Sequence, residues 1–183
     1  AKCVDRYEAS RTDATADDQG TSPLYASSRP GVLPWTNVTE EEAISACRGD
    51  DLYLYYKPGP RPLPSKNLCA YFDYQQACGG VTGTANDHLY PYTPDGGNDQ
   101  YVAGACVDGS VGDGLQPTGT ATCAHDGSGD EGATYDMVGN AAEWVQGTGS
   151  ILIAGGSYLE TPDNLVRSQS TSPTRSGLPL SCD

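Results

Sequence analysis

The chain has 183 residues, enough for one domain with a sizeable core. Ten lysines and arginines against 24 aspartates and glutamates give a formal net charge of −14, which disfavours binding to nucleic-acid phosphates or anionic lipid surfaces. Glycine (23) and proline (13) exceed ordinary usage, so we expect a loop-rich fold, and no apolar run approaches the roughly 18 residues of a membrane helix.

The first half of the chain predicts a short strand and a helix. Residues 3–9 indicate the strand, and a polar loop follows. Thr39 is a plausible helix N-cap with Glu42 three residues later, which is the pattern of a capping box. The sequence therefore predicts a helix over 40–48, with acidic residues at its positive end.

The second half predicts one more helix and two strand-forming regions. The helix spans 67–78 and ends at Gly79-Gly80. Residues 81–132 are mostly loop, and regular structure returns at 134–145 and 151–158. We find no repeat and no linker, so the chain is predicted to be one domain.

Seven cysteines and two histidines are spread along the sequence. No Cys-x-x-Cys pair occurs, which disfavours a structural zinc site. Spread cysteines in a loop-rich chain instead indicate disulfides formed in an oxidising compartment. A start at Ala1 fits a secreted protein after signal-peptide removal, and a trimmed chain would start the same way. Seven is an odd number, so at least one cysteine is free or bonded outside this chain, and spacing leaves the connectivity open.

Two acidic, glycine-rich stretches are candidates for cation binding. In the first, Asp126, Ser128 and Asp130 alternate with small residues, so a tight loop would turn several oxygens onto one Ca²⁺. Asp108 and Asp113 form a weaker stretch of the same kind. The alternative for both is a solvated acidic loop.

Tyrosine is unusually frequent, with twelve against one phenylalanine. Tyrosine supplies contact area at low entropic cost and keeps a polar tip, as partner-binding surfaces require. The alternative is ordinary packing beneath long loops. The candidate contact residues are Tyr53, Tyr55, Tyr56, Tyr71 and Tyr74.

Other functional patterns are sparse. No Gly-x-Ser-x-Gly occurs, and two histidines would have to serve any nucleophilic triad. Asn37-Val38-Thr39 matches the acceptor triplet for N-glycosylation, but these residues also lead into the first predicted helix, and that structural role is favoured.

Residues 135–144, Tyr-Asp-Met-Val-Gly-Asn-Ala-Ala-Glu-Trp, closely resemble the Y-D-M-x-G-N-x-W-E-W signature of the formylglycine-generating enzyme (sulfatase-modifying factor) family. Other segments resemble family motifs in the family's order, and together they span nearly the whole chain. These segments are 3–9, 33–39, 66–69 with Cys78, 90–92, 153–158, and Arg167 through Cys182.

The resemblance implies an α+β, C-type-lectin-like fold over residues 1–183. Two short helices, short twisted antiparallel strands and disulfides are expected, with an aromatic and proline-rich insertion at about 48–65. Four cysteines are expected in disulfides: Cys47 paired with Cys182, and also Cys69 and Cys78.

The resemblance also implies calcium as the bound ion. The side chains of Asp136 and Glu143 and the carbonyls of Gly139 and Ala141 would be ligands, and hard anionic oxygens suit Ca²⁺. A second site would fall near Asp108 and Asp113.

The family's catalytic residues are missing. The enzymes bind copper through two cysteines just after Gly-Gly-Ser-Tyr, but here Tyr158 is followed by 159–166 without a cysteine. The iron-dependent sulfoxide synthases need a histidine cluster, which two scattered histidines do not supply. We therefore expect a protein that is not an enzyme.

The sequence thus predicts a secreted, calcium-stabilised binding or assembly domain, for example a subunit of an extracellular filament. Its partners would be other protein subunits, further copies of itself or an extracellular ligand. The alternatives are a divergent enzyme of the formylglycine-generating or sulfoxide-synthase type, an unrecognised hydrolase, or a carbohydrate-binding lectin-like module, although no Glu-Pro-Asn motif occurs.

Overall fold

The computed structural model describes residues 4–48, 66–79, 104–108, 114–119, 123–125 and 133–159. Its elements in chain order are β1 (Ala9–Arg11), β2 (Ala26–Ser28), α1 (Glu40–Arg48), α2 (Tyr71–Gly79), β3 (Ala124–His125), β4 (Thr134–Tyr135), β5 (Glu143–Gln146) and β6 (Ile151–Ala154). Each strand pairs with its sequence neighbour, which gives three antiparallel two-stranded sheets in the described ranges. The predicted mixture of two helices with short antiparallel strands is confirmed, whereas the specific C-type-lectin-like fold stays a prediction.

Helix α1 has the predicted bounds and the predicted cap. The main-chain N–H of Thr39 donates to Glu42 Oε2 at 2.7 Å, and the N–H of Glu42 donates back to Thr39 Oγ1 at 3.3 Å. This reciprocal pair satisfies two of the N–H groups that a helix start leaves without partners. The helix then buries Ala43, Ala46 and Cys47 on one face.

The first strand lies later than predicted. β1 begins at Ala9, and residues 4–8 form no strand. In the β1–β2 pair, Ser10 lies opposite Ser27, and its hydroxyl donates to the Ser27 carbonyl at 2.9 Å. The ladder ends at the pair of Ala9 and Ser28. The main chain of Tyr7 is bonded by the Ser28 hydroxyl instead, which accepts the Tyr7 N–H and donates to the Tyr7 carbonyl, both at 3.0 Å.

Helix α2 begins at Tyr71 rather than at residue 67. Ala70 forms a parallel bridge with Gln146, and the Cys69 carbonyl accepts a hydrogen bond from the Gln146 N–H at 2.8 Å. Sheet-like pairing to the end of β5 therefore keeps the residues before Tyr71 extended. The segments 134–145 and 151–158 contain β4, β5 and β6, separated by irregular backbone.

Two apolar clusters form the core. The first is lined by Cys69, Tyr74, Cys78, Cys106, Cys123, Met137, Val138, Val145 and Ala154. The second contains Ala9, Trp35, Val38, Ala43, Ala46, Cys47 and Leu68. Trp144 packs against the second cluster and donates its indole N–H to the Val38 carbonyl at 3.3 Å, so β5 joins the two. None of the described helices is long and apolar enough to cross a membrane.

The disulfides differ from the expected set. Cys106 and Cys123 form a disulfide that sequence reasoning did not single out. Cys69 and Cys78 are buried thiols, so their assignment to disulfides was wrong. Both side chains lie in the apolar core, where a thiol packs as a small apolar group.

Cys47 is disulfide-bonded, as expected. Its predicted partner Cys182 lies outside the described residues, so that pairing stays a prediction.

The tyrosines predicted to contact a partner do not behave as one group. Tyr74 is fully buried in the first cluster, so its assignment to an exposed surface was wrong. Its ring lies in the same buried cluster as Met137 and Val145. Tyr71 is half-buried and packs against the same cluster. Tyr53, Tyr55 and Tyr56 lie outside the described residues.

Candidate metal centre

The turn between β4 and β5, residues 136–142, positions the predicted calcium ligands. Asp136 and Asn140 adopt left-handed backbone conformations with φ of 59° and 55°, and Gly139 has φ of 82°. A Cβ on Gly139 would lie 2.4 Å from the Val107 carbonyl oxygen, so only glycine fits there. The N–H of Asn140 donates to that same oxygen at 2.7 Å.

The Cys106–Cys123 disulfide fastens the backbone on either side of this turn. Val107 follows Cys106 directly and accepts the Asn140 N–H, and the Cys123 carbonyl accepts the N–H of Asp136 at 2.9 Å. The two hydrogen bonds flank the first half of the turn. The disulfide therefore links the two chain segments against which the turn is placed.

Three carboxyl groups lie around this turn, and all three are buried. Glu8, Asp136 and Glu143 are 3%, 2% and 3% exposed. Glu8 interacts electrostatically with both other acids, and Glu143 with Asp136. Within the described residues, no lysine or arginine pairs with any of them. The cluster therefore brings together negative charge that the described side chains do not neutralise.

Burial raises the pKa of each of these carboxyls. Burial raises the pKa of Asp136 to about 6, although a hydrogen bond from the Gly119 N–H to Oδ2 at 2.6 Å opposes the rise. The pKa of Glu8 is well above its usual range because of burial and then repulsion from Asp136 and Glu143. Burial raises the pKa of Glu143 well above its usual range. The adjacent Tyr74 hydroxyl opposes that rise, and repulsion from Asp136 adds to it.

Glu143 carries an oxygen without a hydrogen-bond donor. Its Oε2 is buried and lacks a partner. The Tyr74 hydroxyl lies beside it, but the single phenolic proton is donated to the Met137 carbonyl. Burial and the neighbouring Glu143 carboxylate raise the pKa of Tyr74, so the phenol keeps that proton at neutral pH. A buried carboxylate oxygen without a partner lowers the stability of the fold unless a cation or a proton binds to it.

Gly155, directly after β6, leaves open the space in front of this oxygen. A Cβ at Gly155 would lie 2.7 Å from the Tyr74 hydroxyl, 2.8 Å from Glu143 Oε2 and 3.0 Å from the Met137 carbonyl oxygen. Its φ of +83° is a second reason for glycine. Three oxygen atoms thus converge on the place where any other residue would put a side chain.

These residues fit a hard cation bound by both side chains and main chain. The carbonyls of Gly139 and Ala141 accept no hydrogen bond from the described residues, and Glu143 Oε2 is orphaned. Ca²⁺ takes carbonyl and carboxylate oxygens together. In the same described ranges, no three His, Cys, Asp or Glu side chains are grouped as a metal site, so side chains alone would not suffice.

The other predicted ligands are largely outside this centre. Asp108 is buried, at 2% exposure, next to Val107 on which the turn rests. Asp113, Asp126, Ser128 and Asp130 lie outside the described residues. The second site and the acidic-loop site therefore stay predictions.

Glu8 and Tyr74 were not predicted to lie at this centre. Glu8 reaches the turn across 132 residues of sequence, a separation that no local pattern encodes. The available signal in the sequence was that Glu8, an acidic residue, precedes Ala9 in a segment predicted to form a strand. A carboxylate buried in such a segment needs a hydrogen-bond partner.

Asn37 is exposed and has φ of 58°. Its side-chain Nδ2 lies 3.4 Å from Thr36 Oγ1, which leaves the amide at the surface. Thr39, the third residue of the triplet, caps α1, so the structural role is confirmed and glycosylation stays a prediction.

Comparison with known proteins identifies a similar fold but no family. The sequence matches no protein-family model and no curated protein. The structure is similar to Treponema denticola variable protein 1, with a TM-score of 0.54 and 15% identity over 99% of this chain and 92% of that one. A structure titled CarF matches with a TM-score of 0.45 and 20% identity over 85% of this chain and 67% of that one, too weakly to identify a fold. The chain thus shares its fold, and the fold alone, with the Treponema protein.

Proposed function

We propose that this protein is a secreted, non-catalytic domain of the formylglycine-generating-enzyme-like, C-type-lectin-like type, which calcium stabilises and which binds a partner or assembles outside the cell. The observation that carries the proposal is the cluster of Glu8, Asp136 and Glu143. Its three carboxyls are almost completely buried, and Glu143 Oε2 has no donor.

Calcium would neutralise this cluster and tie the turn to β5. Asp136 and the two carbonyls precede β5, and Glu143 is its first residue, so one ion bound by all four would connect them. A divalent ion would offset the repulsion among the carboxylates, which otherwise costs stability at neutral pH. The centre would therefore contribute to folding.

The depth of the centre supports a structural role over a catalytic one. At 2–3% exposure, Asp136 and Glu143 offer no open face to a macromolecular substrate. Carboxylate and carbonyl oxygens select hard cations, whereas Cu(I) in the related enzymes needs thiolates. The sequence lacks cysteines at the corresponding position after Tyr158.

The secreted location is supported by the Cys106–Cys123 disulfide and by the bonded Cys47. Disulfides persist in oxidising compartments. A strongly acidic chain without the family's catalytic ligands is best explained as a module for binding or assembly, with other subunits, further copies or an extracellular ligand as partner.

Calorimetric titration of calcium-depleted, non-reduced protein with CaCl₂ tests the metal centre. The wild type is expected to bind calcium, and Glu143→Gln is expected to bind it much more weakly because an amide is a poorer ligand than a carboxylate. Glu41→Gln makes the same chemical change on the exposed face of α1 and serves as control. Absence of calcium binding by the wild type would refute the centre.

A copper-loaded turnover assay on a cysteine-containing peptide tests the non-catalytic part of the proposal. No turnover is expected. Light scattering with and without calcium then tests self-assembly, for which an increase in mass is the expected result. Turnover would instead support the divergent-enzyme alternative, and a monomer under both conditions would favour a separate ligand over self-assembly.

A further inference from the structure

We propose that Glu8 is a positioning residue for the calcium centre, where it holds the main chain of the turn so that the Ala141 carbonyl faces the ion. This inference rests on the proposed calcium function. Glu8 Oε2 accepts a hydrogen bond from Asn140 Nδ2 at 2.6 Å, and Oε1 accepts one from the Ala141 N–H at 3.0 Å. Both oxygens of Glu8 therefore hold two consecutive residues of the turn.

Glu8 fixes a peptide plane whose opposite side is also held. The N–H of Ala141 and the C=O of Asn140 belong to the same plane, and the Tyr158 N–H donates to that C=O at 3.0 Å. With both ends of the plane held, the Cα of Ala141, from which the next carbonyl extends, is held in place as well. This carbonyl is one of the proposed ligands.

The same contacts stabilise an unfavourable backbone conformation. Asn140 has φ of 55°, in the left-handed region, and its side chain is held by Glu8 on one side and by Gln116 on the other. The N–H of Gln116 donates to Asn140 Oδ1 at 2.9 Å, so the amide is satisfied at both ends. A left-handed residue persists when its surroundings fix it, and here Glu8 is the charged part of those surroundings.

Glu8 also adds charge outside the ligand shell. It interacts electrostatically with both acidic ligands, Asp136 and Glu143. A buried carboxylate just outside the shell attracts a divalent ion while it orients the groups that touch the ion. Residues in this position typically change metal affinity by about 10–100-fold when they are mutated.

The test is the calcium dissociation constant of Glu8→Gln, measured by calorimetric titration with CaCl₂ beside the wild type. The amide removes the charge and presents an N–H₂ group to one of the two donors. We expect the dissociation constant to rise about 10–100-fold, with Glu41→Gln unchanged. A residue with a merely structural role would lower the melting temperature equally with and without calcium and leave the dissociation constant as it is.

The possible results separate this inference from the function on which it rests. Absence of calcium binding by the wild type overturns both. Wild-type binding together with an equal dissociation constant in Glu8→Gln overturns the role of Glu8 alone.

If Glu8→Gln does not fold, hydrogen exchange in the wild type decides. Saturating calcium is expected to slow exchange of the Ala141 amide, which donates to Glu8, by about tenfold or more, because ion and carboxylate then hold the same segment. An unchanged Ala141 rate with calcium bound would overturn the proposal.

Discussion

Replacing Asp136 with asparagine tests whether its buried carboxylate is uncompensated when calcium is removed. Burial raises the pKa of this group from 3.8 to about 6. The folded protein therefore binds a proton more tightly than the unfolded chain. The stabilisation associated with that proton is complete below pH 3.8 and is lost as the pH rises through about 6.

The size of the effect follows from the same shift. A rise from 3.8 to about 6 corresponds to a cost of about 3 kcal/mol for holding the ionised group at neutral pH. Asparagine removes that cost while its amide oxygen still accepts the Gly119 N–H. Calcium-free Asp136→Asn should therefore be more stable than the wild type at about pH 8, by up to about 3 kcal/mol, or about 6–12 °C in melting temperature for a chain of this length.

Denaturant unfolding in EDTA at about pH 8 and about pH 4 measures this difference. The advantage of the variant should vanish at the lower pH, where the wild-type carboxyl is mostly protonated. Asp17→Asn, which changes an exposed aspartate, should show neither effect. With saturating calcium the order should reverse, because the variant loses a charged ligand. A variant that is less stable than the wild type at both pH values in EDTA would refute the reasoning.

Three further predictions concern the backbone around the centre and at the start of α1. Gly155→Ala should lower the free energy of unfolding, measured by urea titration, by about 2–4 kcal/mol, because its Cβ would lie within 3.0 Å of three oxygens. Gly149 has a similar φ of +81°, but a Cβ there would have nothing within 4 Å. As the matched control, Gly149→Ala should therefore lower the free energy of unfolding by only about 1 kcal/mol. Replacing Cys106 and Cys123 by serine removes the disulfide between residues 17 positions apart in the sequence. The free energy of unfolding, measured by thermal unfolding, should fall by about 3 kcal/mol. An unchanged value would mean that other contacts hold this loop. Thr39→Ala removes the N-cap of α1 and should cost about 1 kcal/mol, whereas a neutral result would show that the capping box is redundant.

The sequence predicted best where the interactions are local. The bounds of α1 follow from Thr39, three glutamates and an apolar stripe, all within one short segment. The Gly79-Gly80 stop likewise predicted where α2 ends. Local patterns of this kind are stabilised by hydrogen bonds between neighbours in sequence, so reading along the chain is sufficient.

Long-range contacts explain what the sequence did not predict. The start of α2 is delayed because Ala70 pairs with Gln146, and the start of β1 follows from the position of β2. Tyr74 was predicted at the surface, although its hydroxyl has a partner in Met137 that permits burial. Each outcome depends on contacts between residues that are far apart in the sequence.

The candidate centre likewise has a local part that the sequence predicted and a long-range part that it did not. The signature at 135–144 predicted Asp136 and Glu143 as neighbours, and the structure places their side chains within electrostatic range. It did not predict Glu8, which joins the turn through Asn140 and Ala141 from the other end of the chain. The resemblance indicated the proposed ligands, whereas the contacts of Glu8 with the turn became visible only in three dimensions.

The most direct test of the central claim is thermal unfolding of the non-reduced protein with and without EDTA, together with elemental analysis for calcium and copper. We predict bound calcium, no copper, and a large loss of stability in EDTA, since an ion at about a thousand times its dissociation constant contributes about 4 kcal/mol. Stoichiometric copper, or a melting temperature that EDTA does not change, would contradict the account of a calcium-stabilised, non-catalytic domain.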